Sequence, residues 1–121
     1  MAVAWVRRRS VRARLSLERR RILPSMLFMV IERFKDRDPV PIYARLGEQG
    51  RALPEGLRYL ESWVEANFDR CFQLLECDDA ALLQSWVLQW RDLVEFEVVP
   101  VCPSEAVREL LEGMGLPGKG D

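Results

Sequence analysis

A carboxylate flanked by aromatic side chains is the arrangement in this sequence best suited to chemistry. Tyr59, Glu61 and Trp63 alternate along RYLESWV, so a β-strand here would present all three on one face. An aromatic, partly dry wall raises a carboxyl's pKa and would make Glu61, the candidate catalytic group, a usable proton carrier. Arg70 follows across the polar break Glu65 to Asp69. If the chain turns through two residues at Ala66-Asn67, Trp63 stands opposite Arg70 and Glu61 opposite Phe72. Arg70 could then orient an anionic or enolate oxygen. A one-residue change in that turn would swap the facing set to Cys71, Gln73 and Leu75, and the sequence leaves both registers open. Against a ligand site made of Tyr59, Glu61, Trp63 and Arg70 stands a plainer reading, in which Glu61 and Arg70 are a solvated cross-strand pair and the aromatics fill a core.

Other chemistry is narrowed by an absence: the chain has no histidine. It therefore lacks the side chain best suited to proton transfer near neutral pH and the usual nitrogen ligand of zinc, copper and haem, and neither a metal nor a cofactor is expected. Cys71, Cys77 and Cys102 form no CxxC pair, and no imidazole is present to generate a thiolate. An odd cysteine count without a cleavable signal fits a reducing cytoplasm, with the thiols acting as small apolar residues in strands. Glu95 and Glu97 share one side of a strand and read as charges that keep an edge soluble rather than as a metal-binding pair.

The elements that would position these residues belong to one domain. The chain's 121 residues, 49% hydrophobic and 31% charged, are enough for a single core in an ordinary globular protein. Residues 1–25 carry eight arginines against the single acid Glu18, a net of +7, whereas the remaining 96 carry a net of −8. The acidic body argues against a nucleic-acid surface. The basic stretch admits an export signal, a transit peptide, or an arm for phosphates or acidic lipid. The preferred expectation is that it is a disordered extension or a misassigned start, with the true first residue at Met26, where the composition changes. Neither a membrane nor a nucleic-acid partner is expected.

From Met26 the order of elements can be read off. MLFMVIERF is apolar on both faces until Glu32, too short to span a bilayer, and suits a covered strand. Asp38-Pro39 offers an N-cap and a first-turn proline for a short helix whose core face is Ile42, Tyr43 and Leu46, ended by Gly47 or Gly50. After RALPEG comes the hairpin, with Leu60, Ser62 and Val64 on its second face. Asp78 and Asp79 open a second helix in which Leu82, Leu83, Trp86, Val87 and Trp90 recur at spacings of three and four. Val94 to Cys102 is a last strand, with Glu95 and Glu97 outward, Phe96 and Val98 inward, and Pro100 marking a sheet edge. Ser104 caps a final helix stopped by Gly113 and Gly115.

The order is βαββαβ with a four-stranded antiparallel sheet and an appended C-terminal helix, the α+β ferredoxin-like plan. MLFMVIERF, RALPEGLRYLESWV, RCFQLLECDD and WRDLVEFEVVPV, in that order over about residues 26–110, resemble a small bacterial family known only as a domain of unknown function. That family is similar in size and layout to the dimeric α/β-barrel superfamily, and the resemblance implies a homodimer whose sheets pack face to face. It assigns no catalytic residue. The expectation is thus a ferredoxin-like domain over residues 26–112, a tail over 113–121, and a homodimeric cytoplasmic protein binding a small organic molecule in the sheet cavity. The alternative is a structural or interaction protein with a filled barrel, and whether the chain is an enzyme is undecided.

Overall fold

The computed structural model describes residues 25–116. The arginine-rich stretch, save its last residue, and the end of the expected tail lie outside the described residues. β1 runs Met26–Phe34, and its alternation puts Phe28, Val30, Glu32 and Phe34 on one buried face. A 3-10 turn, Lys35–Arg37, leads to α1, Val40–Gln49. The Val40 amide donates to the Asp38 carboxylate at 3.0 Å, so the expected capping residue holds the helix start. Gly50, at φ 68°, closes α1 by donating its amide to the Leu46 carbonyl at 2.8 Å.

The hairpin is β2, Arg58–Val64, and β3, Arg70–Cys77. α2 spans Ala80–Trp90, with Asp79 accepting from the Ala81 amide at 2.9 Å. β4 is Val94–Val101, and α3 is Ser104–Gly113. Ser104 is the first residue of α3 rather than its cap: Pro103 holds the capping position, where no side chain bonds the free amides.

The four strands pair antiparallel in the order β2-β3-β1-β4, the ferredoxin-like arrangement expected. β4 is an edge, which is why Pro100 is tolerated there. α1 and α2 cover one face of the sheet. Ile42, Leu83, Trp86 and Trp90 pack there on Phe28, Val30, Phe34, Leu75 and Val94, and Trp86 meets Phe96 edge to face at 5.5 Å. α3 buries no residue. The opposite sheet face carries the half-buried side chains Leu27, Met29 and Ile31 of β1 beside Phe72 and Leu74 of β3.

Two backbone features reset the hairpin expectations. The Glu65 amide donates to the Arg70 carbonyl at 2.8 Å, so the connection is the four residues Ala66–Asp69, with Phe68 at φ 62°. The two-residue turn is thereby excluded: Trp63 pairs with Phe72 and Glu61 with Leu74. A β-bulge between Tyr59 and Glu61 then inserts Leu60 as an extra residue, which inverts the facing of everything before it. Tyr59, Ser62 and Val64 therefore share the helix-covered face, while Glu61 and Trp63 lie on the other.

Candidate functional site

The inward face of β1 places a carboxylate where its alternation otherwise supplies only Phe28, Val30 and Phe34. Glu32 is 5% exposed, and its Oε2 accepts from Gln73 Nε2 at 2.7 Å. Gln73 is itself a buried polar residue on the inward face of β3, and its Oε1 accepts from Arg51 Nε at 3.4 Å. A carboxyl, a carboxamide and a guanidinium thus stand in series. Burial pushes the Glu32 carboxyl up to about 7, although the Gln73 hydrogen bond, the Arg51 charge and the Cys71 thiol all pull the other way. Cys71, paired with Glu32 across the ladder, has its thiol pushed up to about 12 by burial, with the nearby carboxylate adding to the effect.

Arg51 is held by its backbone, which leaves its side chain to serve the site. Trp86 and Trp90, one turn apart on α2, both donate their indole N–H to the Arg51 carbonyl, at 2.8 and 3.1 Å. The next residue, Ala52, sits at φ 57°, a left-handed conformation that costs an alanine about 1 kcal/mol, and its carbonyl accepts from Gln89 at 3.2 Å. The Arg51 guanidinium lies over the Tyr59 ring, 3.7 Å from its centroid, and the Tyr59 hydroxyl hydrogen-bonds the Ser62 hydroxyl at 2.8 Å.

Glu32, Gln73, Cys71, Arg51, Ser62 and the two tryptophans border a cavity of about 70 Å³ between the sheet and the helices. Its polar wall is Glu32, Gln73, Arg51 and Ser62, and Trp86, Trp90, Tyr43 and Ile42 supply an apolar and aromatic roof from the helices. An enclosed apolar cavity of about 150 Å³ holds benzene, so this one suits a few heavy atoms, or the head of a molecule whose body projects through the mouth. A carboxyl near neutrality beside a fixed cation can take up or release a proton while the cation stabilises a negatively charged oxygen.

A family described as a domain of unknown function (DUF3303) matches residues 26–115, from β1 through α3. The chain belongs to that family. No curated protein and no solved structure matches it.

In this DUF3303 protein the residues singled out from sequence are divided between the two sheet faces. Tyr59 joins the cavity group through Arg51 and Ser62. Glu61 is exposed on the far face, where its carboxylate accepts from the Ser62 amide at 3.2 Å. Trp63 is 50% exposed beside its partner Phe72. Arg70 bonds Glu65 at 2.7 Å and lies 5.0 Å from the centroid of the Phe72 ring, not opposite Trp63. The expected aromatic wall around Glu61 is not formed by Tyr59, because the bulge turns the tyrosine away.

Glu32, Gln73 and Arg51 escape a reading that seeks aromatic-flanked carboxylates. A signal for two of them is present in the strands themselves. In Phe28-x-Val30-x-Glu32-x-Phe34 and Cys71-x-Gln73-x-Leu75-x-Cys77, a polar residue interrupts an apolar alternation at an inward position. Arg51 carries no comparable signal, since its place depends on the two indoles that reach it from α2. Among the described residues no group of three or more histidine, cysteine, aspartate or glutamate side chains is gathered to hold a metal, and no helix is long and apolar enough to cross a membrane.

Proposed function

We propose that the protein binds a small organic molecule in the cavity between sheet and helices, and that Glu32 exchanges a proton with it. The observation that carries this reading is a carboxyl buried in the cavity wall, linked through Gln73 to Arg51. A leucine at position 32 would pack against Phe28, Val30 and Phe34 without the desolvation cost of a buried carboxyl, so the glutamate has no advantage as a filler. Near pH 7 both forms of Glu32 are populated, and the same group can donate to one ligand oxygen or accept from another. Cys71, with its thiol near 12, stays protonated and serves as a wall rather than a nucleophile.

A thermal-shift screen of small carboxylic, phenolic and carbonyl compounds, run on the full chain and on Glu32→Gln, tests the proposal. Compounds that stabilise the parent to a degree that changes between pH 6 and 8.5, and the variant to a degree that does not, are the expected result. The same pH response in both chains, or a silent screen, would refute it.

The same reading includes a second copy of the chain over the sheet face opposite α1 and α2. Leu27, Met29, Ile31, Phe72 and Leu74 stand half-buried on that face, with Trp63 half exposed at its side and the Arg58–Glu76 ion pair at one end, and a contiguous apolar patch of this kind marks a protein interface. Sedimentation at micromolar concentration should give a homodimer, and Phe72→Glu a monomer; a parent chain that sediments as a monomer removes this part of the proposal. The unpaired cysteines Cys71, Cys77 and Cys102 support a reducing compartment such as the cytoplasm.

A further inference from the structure

Among the described residues, Arg51 is the only guanidinium bordering the cavity, and Glu32 is the only acid. The two do not form an ion pair: within 4 Å no carboxylate joins Arg51 among the described residues, whereas Arg37, Arg45, Arg58 and Arg70 each have one. The neutral Gln73 amide separates the charges, and the Arg51 guanidinium spends one face on the Tyr59 ring. An arginine so placed has donors to spare for an anion, and the Ser62 hydroxyl borders the same wall. The small volume limits what that anion can be.

Resting on the cavity-binding reading above, we propose that the ligand is a short-chain carboxylate whose anionic head is held by the Arg51 guanidinium and the Ser62 hydroxyl, and whose binding draws one proton from solution onto Glu32. Two carboxylates sharing one small, poorly solvated cavity repel each other strongly enough that one of them takes a proton. The ligand keeps its charge against Arg51, so the proton goes to Glu32, which is already easily protonated. The other groups facing Glu32 do not compete for it. Cys71 from β3 is already protonated, and Gln73 does not titrate. Phe96, its partner on β4, Ser62 and Val64 from β2, and Trp86 and Trp90 from α2 carry no titratable charge. Tyr43 is the side chain that α1 brings to the same wall with a hydroxyl.

Acetate and its uncharged isostere acetamide distinguish this inference from the broader one. Each is titrated into the full ¹⁵N-labelled chain at constant ionic strength set with sodium chloride, with the indole N–H resonances of Trp86 and Trp90 as reporters, from pH 6 to 8.5. Acetate should bind with constant affinity up to about pH 7 and then lose about tenfold per pH unit, the slope of one linked proton. Glu32→Gln should bind acetate with no dependence on pH. Arg51→Met, which keeps the backbone carbonyl and hence the indole hydrogen bonds, should bind it at least tenfold more weakly with its resonance dispersion intact. Acetamide binding without acetate binding would overturn the carboxylate assignment and leave the cavity reading standing. Acetate binding that ignores pH in the parent chain would overturn proton uptake. Silence from both compounds would overturn the carboxylate assignment while the cavity reading still answers to its wider thermal-shift screen, and displacement of acetate by chloride at equal concentration would reduce the site to an unselective anion contact.

Discussion

Replacing Glu32 with glutamine should make the protein more stable, and the gain should depend on pH. A carboxyl that titrates at about 7 in the folded chain and at its ordinary 4.5 in the unfolded chain ionises first when unfolded. The folded state is therefore unpenalised below pH 4.5, loses stability as pH rises from 4.5 to 7, and loses no more above that. At about 1.4 kcal/mol for each tenfold change in proton affinity, the full loss comes to about 3 kcal/mol. Glu32 is 5% exposed, so solvent screening takes little from that figure. Glutamine keeps the shape and the acceptor for Gln73 but never ionises, and the variant should escape the loss. Equilibrium urea unfolding of both chains at pH 4.5, 6, 7 and 8, at one protein concentration, measures the difference directly, with the other titrating groups cancelling between the chains. The two should unfold together at pH 4.5, and at pH 8 the midpoint of the variant should lie about 2 M higher. A difference that stays constant across this range would refute the argument. So would a variant less stable at pH 8, because that would mean the carboxylate is stabilised as an ion by Arg51.

Other substitutions test the scaffold that holds the site. Trp86→Ala removes a side chain only 2% exposed, its contact with Phe96 and one of the two hydrogen bonds on the Arg51 carbonyl, and should cost about 3 to 5 kcal/mol in chemical denaturation. Gly56→Ala should cost about 1 to 3 kcal/mol, because the backbone sits at φ 97° and the added Cβ would lie 2.8 Å from Leu82 Cδ1; pairing it with Leu82→Ala should remove the steric part but not the backbone part. A thiol reagent at pH 8 should modify the exposed Cys102 rapidly and Cys71 and Cys77 only on unfolding, since both are buried and burial raises both thiols; fast labelling of Cys71 in the native protein would contradict its packing.

The order of elements was legible in the sequence because it depends on local rules. Strand alternation, the Asp79 cap, the glycine that ends α1, the proline that keeps β4 at an edge and the three-and-four spacing of the tryptophans on α2 act over a few residues, and each is present in the structure as read. The hairpin's facing was not legible, because it turns on a four-residue connection and a one-residue bulge at Leu60, and strand parity reverses with a single inserted residue. That reversal separates Tyr59 from Glu61 and takes the aromatic wall away from the carboxylate that composition favoured. Glu32 and Gln73 could have been noticed as polar residues in inward positions, yet only the sheet register brings them to 2.7 Å. Arg51 could not: it reaches them from a connection whose carbonyl is fixed by indoles 35 and 39 residues further along the chain. Sequence determines which residues must be buried, whereas the protonation of a buried carboxyl depends on what surrounds it in three dimensions, and that was decided only when the sheet, the connection and α2 came together.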